Sequence, residues 1–97
     1  MKDLIKRHHV ATWERGMIRP ETNLNDFMQK LTEEYHELYN EFAFIDDEQL
    51  IPDGDFAQEA MDVVAVIFNM LIHYGFDIRE EFRHNVEHQE SRAAMIR

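Results

Sequence analysis

Carboxylate side chains recur at helical spacing in two stretches of this 97-residue chain. The first stretch contains Glu33, Glu34 and Glu37, and the second contains Glu59 and Asp62. Residues three or four positions apart lie on the same side of an α-helix, so each stretch presents its carboxylates together. Because Mg²⁺ and Mn²⁺ bind oxygen ligands, two such helices packed side by side would form a divalent-cation site.

Asp62 is the carboxylate that is hardest to explain as a solvated side chain. It lies within an apolar stretch, residues 60–68, where a buried charge without a partner would be strongly unfavourable. A cation shared with other carboxylates would compensate it, and a salt bridge to Arg83 or Arg92 is the structural alternative. No basic residue occurs in the apolar stretch itself, which favours the cation.

Four or five carboxylates are more than one Mg²⁺ ion normally takes from a protein, so the cluster indicates two or more ions. Two ions about 3.5–4 Å apart can clamp the attacking and leaving oxygens of an in-line displacement on phosphorus. A nucleoside triphosphate would be repelled by the empty cluster, so the metal should be obligatory for substrate binding as well as for chemistry.

The elements that would position these residues are helices. Only three glycines and two prolines interrupt the chain, and apolar residues recur at helical rather than alternating spacing. The pattern predicts an all-α chain that forms a four-helix bundle as a single domain over residues 1–97. The four segments cover about residues 3–15, 23–45, 55–74 and 77–96.

Local signals mark the ends of these segments. Gly16 and Gly75 are placed to end the first and third helices, and the acidic residues 46–55 are predicted to form a loop. Two pairs of residues resemble capping boxes at the starts of the third and fourth segments: Asp55 with Gln58, and Asp77 with Glu80.

Apolar residues form stripes on the second and fourth segments and surround the third. The stripe of the second includes Tyr35, Tyr39 and Phe42, which we expect to pack in the core. The stripe of the fourth consists of Ile78, Phe82, Val86, Gln89, Ala93 and Ile96. Because the third segment is apolar over most of its circumference, we expect a second copy of the chain to cover it, in a homodimer or homotetramer.

Composition excludes several classes of protein. The net charge of −10 argues against nucleic acid as a partner, and the lack of cysteine excludes disulfides and thiolate metal sites. The longest apolar run, residues 60–72, is short for a membrane span and contains polar residues. Charged residues near the start, such as Lys2 and Arg7, are unlike a signal peptide. We therefore expect a cytoplasmic protein that binds no membrane.

The carboxylates and their surroundings resemble the MazG-like nucleoside triphosphate pyrophosphohydrolases. The residues Glu-Glu-Tyr-His-Glu at 33–37, followed by Glu-Ala-Met-Asp at 59–62, match the E-E-x-x-E and E-x-x-D signature of that family. Trp13 in the first segment, Lys30 before the first signature and the Gly-Phe-Asp-Ile-Arg stretch at 75–79 occur in the same order, and the resemblance covers about residues 9–92.

This resemblance implies a function and a role for each residue. Family members are all-α enzymes that hydrolyse a (deoxy)nucleoside triphosphate to the monophosphate and pyrophosphate, with Mg²⁺ or Mn²⁺ as cofactor. It implies four metal ligands: Glu34, Glu37, Glu59 and Asp62. It also implies that Glu33 acts on the attacking water or binds a further ion. The candidates for substrate binding are Trp13, Lys30, Asn85 and Arg92. The family usually closes with Lys, Asn and Arg. Here Asn85 and Gln89 replace the Lys and the Asn, and Arg92 matches the Arg.

Two other functions remain open. Glu33 with His36 and Glu81 with His84 match the Glu-x-x-His pairs of ferritin-like di-iron bundles, although both histidines point away from the apolar stripes of their helices. The chain could also be a non-enzymatic acidic interaction module, in which the carboxylates only solvate a helix. We reject a zinc protease site at residues 84–88, because a five-residue match in a chain with six histidines is weak evidence.

Overall fold

A computed structural model describes residues 2–45 and 51–96 of the chain. It contains four helices: α1 (Lys2–Glu14), α2 (Leu24–Ala43), α3 (Gly54–His73) and α4 (Ile78–Ile96). The described residues form no strand. The prediction of an all-helical chain with four helices is confirmed. Residues 46–50 of the predicted acidic loop lie outside the described residues.

Glycine ends α1 and α3, as the sequence predicts. Gly16 and Gly75 have φ angles of 74° and 82°, a left-handed conformation that L-residues with a Cβ adopt at a cost. After α3, the amide of Gly75 donates to the carbonyl of Ile72, and that of Phe76 donates to the carbonyl of Leu71. This is the Schellman arrangement, which satisfies the last carbonyls of the helix.

The start of α3 differs from the prediction. Asp53 is the N-cap, with an extended backbone and a side chain that accepts a hydrogen bond from the amide of Phe56. Asp55 lies inside the first turn, so the predicted capping box of Asp55 and Gln58 is wrong. Asp77 does cap α4 by accepting from the amide of Glu80 at 3.1 Å.

The packed part of the structure consists of α1, α2 and α3. Helix α2 lies along α3, and α1 lies against α3 from another side. Helix α4 contacts α3, yet every side chain from residue 79 to residue 95 is exposed. In one chain, therefore, the apolar stripe of α4 is not part of a core.

Helix α2 turns a different side toward α3 from the one that the apolar pattern predicts. Phe27 and Glu34 are buried, whereas Tyr35, Tyr39 and Phe42 are about half exposed or more. The exposed group is centred about 80° around the helix from Phe27. The expectation that these three aromatic residues pack in the core is thus wrong for the single chain, because α3 covers only one edge of the stripe.

The core is small and partly polar. Ile18 and Phe27 are the buried apolar residues that the described chain contains, and the Phe27 ring lies 5.1 Å from that of His73. Asn69 of α3 is also buried, and its amide nitrogen lies 3.4 Å from Thr12 Oγ1 of α1. His73 Nε2 donates to the carbonyl of Thr22 at 2.8 Å. Polar contacts therefore help to hold α1 and the α1–α2 loop on α3.

Helix α3 is the most apolar element. By length and composition alone it is long and apolar enough to cross a membrane, a test that core helices of water-soluble proteins also pass. Most of its side chains are half-buried rather than buried, and Met61 is 53% exposed. Its apolar surface is thus only partly covered by α1 and α2.

The corrected cap of α3 can be tested by mutation. Asp53→Ala should lower the free energy of unfolding by about 1 kcal/mol, because it removes an N-cap side chain. Asp55→Ala should cost only about 0.3 kcal/mol, since it removes a helix-dipole interaction but no capping bond. Urea denaturation at fixed protein concentration measures both, and a larger loss for Asp55→Ala would favour the cap predicted from the sequence.

Candidate metal centre

The packing of α2 on α3 brings three carboxylates together. Glu34 comes from α2, and Glu59 and Asp62 come from α3, one turn apart. Each side chain offers one oxygen, and these oxygens lie within 4.8 Å of one another. We call Glu34, Glu59 and Asp62 the acidic cluster. Three oxygens from two helices at this spacing could bind one divalent cation together.

Two oxygens of the acidic cluster are buried without a hydrogen-bond partner in the described structure: Glu34 Oε2 and Glu59 Oε2. A buried carboxylate oxygen without a donor is strongly unfavourable, and a cation would supply what both oxygens lack. The other oxygen of Glu34 lies 3.1 Å from Lys30 Nζ. The residues present thus fit an oxygen-ligated metal ion.

The electrostatics around Glu59 also favour a bound cation. Burial raises the pKa of the Glu59 carboxyl above its usual 4.5, and the neighbouring carboxylates of Glu37 and Asp62 raise the pKa further. Glu37 therefore borders the acidic cluster, although its oxygens are outside the group that shares the 4.8 Å spacing. A cation would relieve this repulsion, because it stabilises each ionised carboxylate.

Asp62 is not the buried carboxylate that the sequence predicts. Asp62 is exposed in the single chain, and Glu34, at 7% exposure, is the buried carboxylate. Arg83, a proposed salt-bridge partner of Asp62, instead pairs with Glu80 at 2.8 Å and with Glu87. In the part of the chain that the structure describes, Arg92, the other proposed partner, forms no ion pair. The salt-bridge alternative for Asp62 is therefore wrong in this structure.

A cleft of about 460 Å³ opens beside the acidic cluster, between α1, the α1–α2 loop, α2 and α3. Glu34 and Asp62 line it, as do two residues that the sequence predicts, Glu33 and Lys30. Trp13, Asn85 and Arg92 do not line it. Trp13 is 42% exposed, with its ring 6.3 Å from that of His9. Asn85 and Arg92 lie on the exposed helix α4, so their predicted role in substrate binding stays a prediction.

Sequence reasoning missed the far wall of the cleft. Arg15 brings a cationic side chain to the lining, and His8, Thr12 and Asn69 form a polar group away from the carboxylates. Asn69 could have been found, because it follows Asp62 by seven residues and so lies within about 20° of it on α3. Arg15 and His8 carry no such signal, since only the docking of α1 brings them to the cleft.

The histidines of the di-iron alternative are placed away from the acidic cluster. His36 and His84 are both exposed, as their helix positions predict, and neither lines the cleft. The candidate metal ligands that the described residues bring together are carboxylates alone. This donor set suits Mg²⁺ or Mn²⁺ better than a di-iron centre with histidine ligands.

No family model matches this sequence, and neither the curated proteins nor the solved structures contain a significant match to it.

Replacing Glu59 tests whether its negative charge destabilises the folded chain in the absence of metal. In a chelator at pH 7, Glu59→Gln should melt slightly higher than the wild type, because the raised pKa means that folding disfavours the ionised carboxylate. That penalty is complete above the raised pKa and disappears below 4.5, so the advantage of the glutamine should shrink as the pH falls. Thermal melts between about pH 8 and pH 4 measure the effect.

The control for Glu59→Gln is Glu90→Gln, an exposed carboxylate on α4, which should leave both melting profiles unchanged. Added Mn²⁺ should raise the melting temperature of the wild type and of the control, but much less that of Glu59→Gln. A clear loss of stability in Glu59→Gln without metal would identify this carboxylate as a structural partner.

Lys30 should compete with the metal. Its ammonium group lies 3.1 Å from Glu34 Oε1 and 3.6 Å from Glu33 Oε2, where it repels a cation. Lys30→Met keeps the length of the side chain and removes the charge, so it should tighten Mn²⁺ binding about fivefold, an effect of roughly 1 kcal/mol at this half-exposed site. Isothermal titration calorimetry measures it, with Lys6→Met on α1 as the control. Weaker Mn²⁺ binding would show that Lys30 holds Glu34 in place.

Proposed function

We propose that this chain is a nucleoside triphosphate pyrophosphohydrolase that depends on Mg²⁺ or Mn²⁺. It hydrolyses a (deoxy)nucleoside triphosphate to the nucleoside monophosphate and pyrophosphate. The observation that supports this most strongly is the acidic cluster, with its two unpartnered buried oxygens, at the edge of a cleft. The same three carboxylates are ligands in the MazG-like pattern that the sequence resembles.

The carboxylates hold the metal in this proposal. Glu34, Glu59 and Asp62 bind the first cation, and Glu37, which already interacts with Glu59, completes the set of four. When bound, the divalent ions would offset the charge of the polyphosphate and lower the pKa of the attacking water. Without them the carboxylates and the triphosphate repel each other, so substrate binding itself requires the cation.

The cleft supplies the other groups. Glu33 lies next to the metal ligand Glu34 in the chain, lines the cleft and keeps a side chain that is 65% exposed, so it can accept the proton of the attacking water. Lys30 and Arg15 bring two positive charges to the same lining and can bind phosphate oxygens. Asn85 and Arg92 remain proposed phosphate contacts and Trp13 a proposed stacking surface for the base.

In this proposal the enzyme serves modification or clean-up of the cytoplasmic nucleotide pool. The choice of base and sugar depends on a few contacts within the cleft. A panel of ribo- and deoxyribonucleoside triphosphates is therefore the appropriate set of substrates.

The reaction products test this proposal. With Mn²⁺ or Mg²⁺, at least one triphosphate should give equal amounts of pyrophosphate and nucleoside monophosphate, because water attacks the α-phosphorus. Chelation of the metal should abolish turnover. Product analysis by anion-exchange chromatography, without added pyrophosphatase, separates this outcome from cleavage to the diphosphate and orthophosphate, which would contradict the proposal.

Matched variants sharpen the same experiment. Glu59→Gln and Asp62→Asn should lose at least about a hundredfold in kcat/KM, whereas Glu90→Gln should keep full activity. Glu33→Gln should lose turnover while binding the first Mn²⁺ normally, since its role is in water activation. If no triphosphate is hydrolysed and Mn²⁺ causes no thermal shift, the acidic interaction module becomes the better explanation. Tight iron binding with a ligand-to-metal absorption band would favour the di-iron bundle.

A further inference from the structure

Three histidines lie together where α1 packs on α3. His8 and His9 belong to α1, and His73 is the last residue of α3. His9 Nε2 is buried and has no hydrogen-bond partner in the described structure. Burial lowers the pKa of His9 below its usual 6.5, and the nearby His73 and His8 lower the pKa further. A positive charge on His9 is therefore unfavourable while α1 lies on α3.

The polar contact between α1 and α3 requires that His8 is neutral. Thr12 Oγ1 donates its only proton to the carbonyl of His9 at 2.8 Å, so toward Asn69 it can only accept. The amide nitrogen of Asn69 therefore faces α1, where it lies 3.4 Å from Thr12 Oγ1 and 3.5 Å from His8 Nδ1. An amide nitrogen only donates, so His8 Nδ1 must accept. Protonation of His8 would set two N–H groups against each other.

His73 is held in place by other contacts. Its Nε2 donates to the carbonyl of Thr22 in the α1–α2 loop at 2.8 Å. Its ring lies 5.1 Å from the ring of Phe27 on α2. Because these contacts fix the His73 ring, charges on His73 and His9 cannot move apart while α1 stays docked.

The charged groups around His9 and His8 do not remove this conflict. In the described chain, the ionisable groups that act on His9 are His8 and His73, and no carboxylate is among them. Asn69 is the described residue whose side chain makes a hydrogen-bond contact with the His8 ring. The cleft that His8 lines also contains charged groups from every packed element: Arg15 after α1, Asp26, Lys30, Glu33 and Glu34 on α2, and Asp62 on α3. None of these can replace the acceptor that Asn69 loses.

We propose that α1 is a pH-sensitive wall of the cleft, which docks on α3 while His8 and His9 are neutral and separates from it when they are protonated. Its release removes His8, Thr12 and Arg15 from the lining of the cleft. The packing of α2 on α3, which forms the acidic cluster, stays in place. This proposal is independent of the proposed catalytic activity.

Acid favours release because the released helix binds more protons than the docked one. An unperturbed histidine has a pKa of about 6.5, above that of the docked His9. The docked state is thus most stable above about pH 6.5 and loses stability as the pH falls through this value. For each histidine that must lose its proton, the docking equilibrium constant falls up to about tenfold per pH unit. Glu59 has the opposite effect, since acid removes its repulsion and stabilises the α2–α3 packing.

Trp13 reports the position of α1. It is the single tryptophan of the chain, and its ring lies 6.3 Å from that of His9. With a chelator present, the wild-type emission maximum should move to longer wavelength between about pH 7.5 and pH 5.5. The double variant His8→Asn with His9→Gln keeps polar groups that cannot be protonated in this range, so it should lose most of that movement. His36→Gln and His88→Gln, at exposed positions, are the matched controls and should behave as the wild type.

Amide hydrogen exchange of the wild type tests the same proposal without a variant, and it decides the matter if the double variant fails to fold. After correction for intrinsic rates, protection in α1 should fall at least about tenfold between about pH 7.5 and pH 5.5, while α3 keeps its protection. Three results would overturn the proposal: a wild-type emission maximum that does not move, an equal movement in a folded double variant, or an equal loss of protection in α1 and α3.

Discussion

Repulsion between carboxylates held close together is the constraint on which the rest of this structure depends. The packing of α2 on α3 places one oxygen each of Glu34, Glu59 and Asp62 within 4.8 Å of the others, and the burial of Glu34 weakens the screening that water would provide there. The raised pKa of Glu59 is the direct consequence. Lys30 compensates only one oxygen of Glu34. Carboxylates that destabilise the fold without metal favour the binding of a cation, because the bound ion removes their repulsion and stabilises the folded state.

Local interactions support the helices, since the core is too small to do so alone. Asn23 and Asp26 cap α2 reciprocally, Asp53 and Asp77 cap the next two helices, and Gly16 and Gly75 end two of the four. By contrast, Ile18 and Phe27 are the buried apolar residues of the described chain. Helices of this length are marginal in water without tertiary packing.

The lining of the cleft contains two kinds of polar group. One consists of the carboxylates with the neighbouring cation Lys30, and the other consists of His8, Thr12 and Asn69. The two groups are held by different contacts: the α2–α3 packing positions the carboxylates, and the docking of α1 positions the polar group.

The sequence by itself determined the helices and the candidate ligands. Periodicity, glycine stops and the aspartate at residue 77 predicted four helices, and i, i+3 spacing placed Glu59 and Asp62 on one side of α3. These properties depend on neighbours within a few residues. Only the tertiary structure decided which side of α2 meets α3, and so made Glu34 the buried carboxylate and left Tyr35 exposed. It also brought Arg15 to the cleft. A helix rotates as a rigid unit, and the apolar stripe of α2 is wider than the surface that α3 covers, so local sequence leaves this rotation undetermined.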